Sequence, residues 1–290
     1  MVERRASRTA VQVCQGRAVA HGRLAVGRFE DPTALALLRD DERPRVEHAR
    51  AEVLPKAWAQ RMDAGLIRLQ AESMTARTVA IDDAVRAAGH PQLVIVGAGL
   101  DGRAWRMPDL ADVAVFEVDH PASQEDKRDR AAGLSPTAGS LKFVAVDLVE
   151  ALLGPALAAA GHDKAVSTTW VLEGVVPYLT RQQAAATVAA IAGRSAPGSR
   201  LVVHYQVRSV RAAFGRLLVR TFLRLSHRQD PVANEPRRSS WTQASVRALL
   251  IDAGLDVTDD ITLRSLADEL SLPTRQLRTS GIAIRRPRAC

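Results

Sequence analysis

The chain has 290 residues, 47% of them hydrophobic and 25% charged, an ordinary composition for a soluble globular protein and enough length for one large α/β domain. No apolar run approaches the ~20 residues that a membrane-spanning helix needs, and the opening MVERRASRTA leads into no apolar signal-peptide core, so a cytoplasmic location is expected. Two cysteines, Cys14 and Cys290, exclude a disulfide framework and a cysteine-based metal site. The first reads as a small buried residue and the second as part of an unconstrained tail, and no metal is expected.

A formal charge of +8 and a pI near 10.4 raise the question of a nucleic-acid partner. Lysine occurs only at Lys56, Lys127, Lys142 and Lys164, and an arginine excess beside abundant alanine reads as the codon bias of a GC-rich genome. Aromatic residues make up 4%, a poor supply of base-stacking platforms. Nucleic acid is therefore not an expected partner.

Residues 1–88 read as helical. Alanine-rich amphipathic stretches span residues 11–22, residues 31–38, opened by Asp31-Pro32, and residues 71–88, where Gly89-His90-Pro91 stops the helix. They are expected to pack against a sheet; placed over the carboxyl ends of its strands they would also exclude water and help form a substrate pocket.

Residues 92–206 carry five strands. Leu93-Val94-Ile95-Val96 runs into Gly97-Ala98-Gly99-Leu100-Asp101-Gly102-Arg103, and a second apolar run closes on Glu117-Val118-Asp119. The third strand, residues 141–148, contains Asp147 and Leu148; the fourth, residues 165–174, contains Glu173; Gly198-Ser199-Arg200 turns into the fifth, residues 201–205. Pro108, Pro121 and Pro197 fall between elements, as their missing N–H requires. Further on, residues 241–253 read as a helix and residues 255–263 and 280–285 as two last strands.

Between them lies an insertion. Over residues 207–225, Arg208, Arg211, Arg216, Arg220 and Arg224 alternate with Val210, Phe214, Leu217, Phe222 and Leu223, the pattern of a basic amphipathic helix. Three readings stand: a helix packed by its apolar stripe, a lid whose arginines attract an anionic substrate, and a helix lying on a membrane surface. Residues 226–240, with Pro231, Asn234 and Pro236, read as a loop. No repeat or low-complexity linker divides the chain. It reads as a single domain over residues 1–290, with a helical cap (1–88), an α/β core (92–206 and 241–290) and the insertion (207–240).

The chemistry gathers at the strand ends. A short β-branched run that stops at a glycine pair, with an acid closing the next run, describes the first two strands of a nucleotide-binding sheet. Gly97 and Gly99 let the backbone turn sharply, and a side chain at either would stand where a ligand's sugar or phosphate lies. Gly102 completes G-x-G-x-x-G, so a dinucleotide site, with Asp119 on a ribose hydroxyl, and an S-adenosylmethionine (SAM) site, with Asp119 on both ribose hydroxyls, are both open from the glycines alone. Ligands of open α/β sheets sit outside the carboxyl ends of the strands, so Gly97, Asp119, Asp147 and Glu173 converge on one crevice. Such a set suits a compact nucleoside better than an extended dinucleotide.

The succession VIVGAGLDGRAWRM, VFEVDHP, FVAVDL and WVLEGVVPYL resembles the leucine carboxyl methyltransferase family of class I SAM-dependent methyltransferases, in particular its bacterial branch of specialised-metabolism O-methyltransferases. The resemblance covers most of residues 9–201, including the N-terminal stretches around residues 9–38 and 74–83. It implies a Rossmann-like, seven-stranded class I methyltransferase sheet with an N-terminal helical cap and a helical lid insertion. SAM is the implied cofactor. By the family's pattern Arg77 pairs with the carboxylate of its methionine moiety, Gly97, beside Gly99, contacts that moiety, Asp119 holds the ribose, Asp147 and Leu148 the adenine, and Glu173 faces the methionine amine. A guanidinium suits a carboxylate and an ionised acid suits an ammonium, whereas a nicotinamide finds no such complement. The branch usually has threonine at the position of Gly102, which is expected to leave slightly more room at the loop.

The implied activity is O-methylation of a small metabolite, either a carboxylic acid or an aromatic hydroxyl, with a protein C-terminal leucine carboxyl methyltransferase, an NAD-dependent oxidoreductase and a non-catalytic SAM-binding protein as alternatives. Base-directed enzymes carry Asp or Asn before Pro-Pro-Tyr, which Gly174-Val175-Val176-Pro177-Tyr178 lacks. A carboxylate acceptor needs no general base, while a phenol, pKa near 10, would gain from one. By position alone His120, His204, His227, Tyr178 and Tyr205 are the candidates. Neither the acceptor nor the oligomeric state is readable.

Overall fold

The computed structural model describes residues 7–51, 56–148, 153–206 and 238–272, and the backbone of residues 280–287. Among the described residues there are seven strands: β1 (Gln92–Val96), β2 (Ala114–Asp119), β3 (Ser140–Ala145), β4 (Thr168–Leu172), β5 (Arg200–Gln206), β6 (Leu255–Thr262) and β7 (Ser280–Pro287). They form one sheet in the order β3-β2-β1-β4-β5-β7-β6. The first five run parallel, and β7 enters antiparallel between β5 and β6. Every residue of β1 and β4 is buried, as expected of central strands covered on both faces.

Side-chain alternation along the strands divides the interior in two. Leu93, Ile95, Val115, Val171 and Val202 face the helices α1 (Arg8–Ala20) and α4 (Trp58–Ala88). Val94, Val96, Phe116, Trp170, Leu172 and Val203 face α7 (Leu153–Ala159), α8 (Arg181–Ala192) and the helix Gln243–Asp252. No helix among the described residues is long and apolar enough to cross a membrane, and none of those residues form a metal-binding group of acids, histidines and cysteines.

The N-terminal helices extend further than their sequence suggests. α4 begins at Trp58, not near residue 71, and runs for 31 residues. Gly65 lies within it at a cost of about 1 kcal/mol, which the buried neighbours Ala64 and Ile67 offset. A helix α3 (Arg43–Arg50) falls within the span read as helical but between the stretches singled out; its apolar content is only Val46 and Ala49, both buried. Residues 31–38 yield only the four-residue α2 (Thr33–Ala36). β3 ends at Ala145, so Asp147 stands on the loop beyond it.

This helical layer is fastened at the carboxyl end of the strands. The Arg17 guanidinium of α1 donates to the Leu100 carbonyl in the loop after β1. On the far side, Arg130 of α6 (Pro121–Ala131) grips Glu42 through two nitrogens, at 2.5 and 2.9 Å, and donates to Leu37 O at 2.9 Å. The insertion helix expected over residues 207–225, most of the loop after it with His227, and Cys290 lie outside the described residues.

Gly102 departs from the expectation of added room. A Cβ there would stand 2.3 Å from Thr33 Oγ1 and 3.2 Å from Asp31 Oδ1, so the Thr33 hydroxyl fills that space. Gly102→Ala is expected to lower stability by about 1–3 kcal/mol through overpacking, and by clearly less in a Thr33→Ala background. Urea denaturation of the four proteins of this cycle checks it; equal costs in both backgrounds would disprove the contact.

Candidate functional site

β1 hands over to a loop whose first residues have left-handed backbone, Gly97 at φ 71° and Gly99 at φ 46°, conformations that glycine adopts without penalty. The Gly97 and Ala98 amides donate to Val118 O at 2.8 and 3.0 Å, locking the turn to β2. The Asp119 carboxylate completes the lock: Oδ2 accepts from the Gly99 amide at 2.5 Å and Oδ1 from the His120 amide at 2.7 Å. The neighbours that exclude side chains here belong to the protein itself. A Cβ at Gly97 would lie 2.1 Å from Val175 Cγ2, and one at Gly99 3.0 Å from Ala10 Cβ. Half-buried Asp119 has its carboxyl raised by burial, against the lowering effect of those two amides.

A dinucleotide would need a free helix N-terminus after this loop. The helix that follows, α5 (Arg103–Arg106), has four residues, and its first amide donates to Asp101 Oδ1 at 2.7 Å. The Asp101 carboxylate already takes the helix-terminal amide that a pyrophosphate would use.

Beside the loop lies an interior chain of charges. Arg77 on α4 reaches Glu173, just past β4, with Nε 2.6 Å from Oε1. Arg103 donates to Glu173 Oε2 at 3.0 Å, to Asp82 Oδ1 at 2.7 Å and to Asp101. Arg106 meets Asp82 at 2.7 Å and Asp31 at 3.7 Å, and Asp31 accepts from Arg17 Nε at 2.8 Å. Four guanidiniums thus face four carboxylates, and the cluster is neutral. Such neutrality is what makes burial tolerable: each charge alone would cost several kcal/mol to desolvate. Burial works to raise the Glu173 carboxyl, and Arg77 and Arg103 reverse this and hold it well below the usual range. Asp82 and Asp31 are likewise held low by their arginines against burial. Burial lowers Arg77, helped by Arg17 and Arg103 and opposed by Glu173.

The Arg77 contact is close in distance but poorly aimed, since its Nε–H makes no aligned hydrogen bond to Glu173 or any other group. It is an ion pair held by proximity, unlike the directional bonds of Arg103.

His204 borders the same pair. Leu172 of β4 stands opposite Val203 of β5, so the next residues, Glu173 and His204, are cross-strand neighbours on one face. The ring is buried, its Nδ1 has no hydrogen-bond partner, and burial together with the Arg77 charge pushes its pKa down to about 3. Tyr205 points to the opposite face, buried in the second core, where its hydroxyl donates to Asp260 Oδ1 at 2.7 Å. Tyr178 stands in a 3₁₀ turn after β4, its hydroxyl 3.3 Å from Thr9 Oγ1 at the start of α1. His120 is exposed, with Nε2 3.9 Å from Asp147 Oδ2, and Val146 N donates to Asp119 O at 2.8 Å, which brings Asp119 and Asp147 to adjoining strand ends. Leu148 lies half-buried against the second core.

The structure therefore brings Arg77, Glu173 and His204 together, sets Gly97, Gly99 and Asp119 beside them, places Asp147 beside Asp119, and leaves Tyr205 apart. Sequence reasoning missed Arg17, Asp31, Asp82, Arg103 and Arg106. It also missed the buried pair of Glu117 and Lys127 at 2.5 Å, where burial pushes the Glu117 carboxyl up to about 7 against the pull of Lys127. The available signal was an acid at an inward-facing strand position. A separate cavity of about 260 Å³, lined by Val85, His90, Leu93, Asp109 and Thr169, opens at the amino ends of β1 and β4 and is no part of this site.

The sheet order with its antiparallel β7 defines the class I methyltransferase fold. The crystal structure of "a putative methyltransferase from Thermobifida fusca YX" superposes on 94% of both chains with a TM-score of 0.57 at 16% identity. Residues 10–192 match the family model described as leucine carboxyl methyltransferase. A protein of Mycobacterium sp. (strain KMS) is 35% identical over 221 residues, 73% of this chain and 71% of its own. One from Mycobacterium sp. (strain JLS) is 34% identical over 199 residues, 68% of this chain and 65% of its own. Both carry the name "Putative S-adenosyl-L-methionine-dependent methyltransferase", and the alignments span about two thirds of their length. The chain belongs to the leucine carboxyl methyltransferase family of SAM-dependent enzymes. The donor set fits that cofactor's amino-acid end: a poorly aligned guanidinium and a carboxylate for its two charges, with an unpartnered imidazole nitrogen alongside.

Two outcomes check the charge cluster. Asp82→Ala, which strips partners from Arg103 and Arg106, is expected to cost about 3 kcal/mol in urea denaturation; an unchanged midpoint would refute the cluster's structural role. Stability is also expected to fall on acidification from pH 6.5 towards 4. His204, and His162, which is buried against Trp170 of the second core, have folded pKa values lowered to about 3 and about 4, so the unfolded chain takes up more protons there, and their contribution is full above pH 6.5 and lost below it. Glu117, raised to about 7, works the other way between about pH 4.5 and 7, as do the raised carboxyls of Asp119 and of Glu72 on α4 above their ordinary pKa, while the lowered carboxyls of Glu173, Asp82 and Asp31 add to the loss as pH falls through about 4. Denaturation midpoints at pH 7, 5.5 and 4.5 decide the sign.

Proposed function

We propose that the protein is a SAM-dependent O-methyltransferase acting on a small molecule in the cytoplasm, in specialised metabolism, with a carboxylic acid or an aromatic hydroxyl as acceptor. The observation that carries this reading is the Arg77–Glu173 ion pair at the carboxyl end of the sheet, 2.6 Å apart and next to the Asp119-locked glycine turn. It offers one cation and one anion, the complement of an amino-acid zwitterion.

In this reading Arg77 takes the carboxylate of the methionine moiety, and Glu173, still held by Arg103, takes the amine. Asp119 retains lone pairs beyond those used by Gly99 and His120 and accepts from the ribose hydroxyls, while Asp147 and Leu148 border the adenine. The cofactor, when bound, supplies a sulfonium methyl group open to in-line displacement. The protein's part is to align the reactants and exclude water, which accounts for most of the acceleration in such a transfer. The α1–α4 layer, fastened by Arg17 and Arg130, supports both. A carboxylate acceptor arrives ionised and asks no base of the protein. The family's description favours, as a second reading, the C-terminal carboxylate of a leucine-ending peptide.

Incubation with methyl-labelled SAM and a panel of carboxylic acids, phenols and leucine-ending peptides tests the proposal. Label transferred to a small acid, released as methanol by mild alkali, identifies a methyl ester; alkali-stable label on a phenol identifies an ether; transfer to the peptide alone selects the second reading. Cofactor binding with no transfer to any acceptor class would contradict the proposal. Asp119→Asn is expected to weaken S-adenosylhomocysteine at least about 10-fold, the loss of charged hydrogen bonds, read by calorimetry.

A further inference from the structure

We propose that His204 is part of the cofactor site, its Nδ1 accepting a hydrogen bond from the ammonium group of the methionine moiety beside Glu173. This rests on the reading that SAM binds at the Arg77–Glu173 pair.

Three observations lead here. First, register and alternation make His204 the neighbour of Glu173, one strand over on the same face. Second, the residue is 2% exposed and its Nδ1 is buried with no partner. A buried polar atom left unmatched costs about 1–3 kcal/mol, and such atoms in native proteins gather where a ligand or a water completes them. Third, the charges facing the ring are those of Arg77 and Glu173. Burial and the Arg77 charge, against the pull of Glu173, keep it unprotonated at neutral pH, when an imidazole has one acceptor nitrogen to offer.

With the ring proton on Nε2, Nδ1 is that acceptor, and the polar partner it lacks is a donor. Arg103 directs its N–H groups to Glu173, Asp101 and Asp82, and Arg77 lies against Glu173. An ammonium brings three donors, and Glu173, whose two oxygens already meet Arg77 and Arg103, has limited capacity to receive them all. A neutral ring at its side supplies another acceptor without adding charge to a neutral cluster. Its place also separates this role from catalysis: a buried ring beside the Arg77–Glu173 pair adjoins the groups assigned to the cofactor's amino-acid end.

The test is calorimetric titration of wild type, His204→Phe and His204→Asn with two ligands, S-adenosylhomocysteine and its deamino analogue, which keeps the carboxylate and lacks the amine. Phenylalanine preserves the ring's volume and removes the nitrogen, and the asparagine carbonyl can return an acceptor close to the Nδ1 position. His204→Phe is expected to weaken S-adenosylhomocysteine about 10-fold and to leave the deamino analogue unchanged, with His204→Asn recovering most of the difference. Equal weakening of both ligands, or no change in either, would overturn the inference and reduce His204 to packing. Should His204→Phe fail to fold, His204→Leu replaces it with the same expectation. Wild type that binds neither ligand overturns the cofactor reading itself, and the inference with it.

Discussion

The site depends on one carboxylate, Glu173, and on the two arginines that hold it in the interior. Arg103 grips it with a directed hydrogen bond and is itself fixed by Asp82 and Asp101. Arg77 touches it closely but without alignment. This asymmetry divides the labour. One arginine anchors the carboxylate to the fold by directed bonds, and the other is held to it by proximity, its Nε making no aligned hydrogen bond. A ligand carrying its own positive and negative charge can enter between them while the neutral total is preserved, the condition on which burial of so many charges rests.

The rest of the architecture places that pair. Parallel strands bring the ends of β1, β2 and β4 to one edge, so the glycine turn, Asp119 and Glu173 meet although they lie far apart in the chain. α4 crosses the same edge and delivers both Arg77 and Asp82, five residues apart. The N-terminal segment contributes Arg17 and Asp31, which tie the charge chain to α1 and to the loop ahead of α2. What looked in sequence like a helical cap beside the sheet is thus joined to the site by ion pairs as well as by apolar packing.

Much of the fold was legible because its signals are local. The β-branched runs, the glycine pair and the acids closing successive runs reveal themselves within a few residues, and β1 to β7 fall close to where those runs lie. α3 and the first half of α4 were covered only by the general helical reading of residues 1–88, not by bounds of their own. The former is mostly arginine and other polar residues with two apolar contacts, and the latter carries Gly65 in a position that tertiary packing tolerates. Of the site, the conspicuous residues at strand ends could be named in advance, and resemblance supplied Arg77. The partners of Arg103 and Arg106 could not, because Asp31, Asp82 and Asp101 sit on three separate segments and no spacing links them. Gly102 shows the same limit: its dinucleotide fingerprint is complete in sequence, while in space Asp101 caps the helix and Thr33 fills the gap.

The central claim is that the Arg77–Glu173 pair opens to receive a zwitterion. A crystal structure of the protein with S-adenosylhomocysteine tests it most directly. The account expects the ligand's carboxylate on Arg77 and its amine on Glu173, with the Arg103–Glu173 bond retained. An intact Arg77–Glu173 pair, with the amino-acid end of the ligand bound elsewhere, would contradict it.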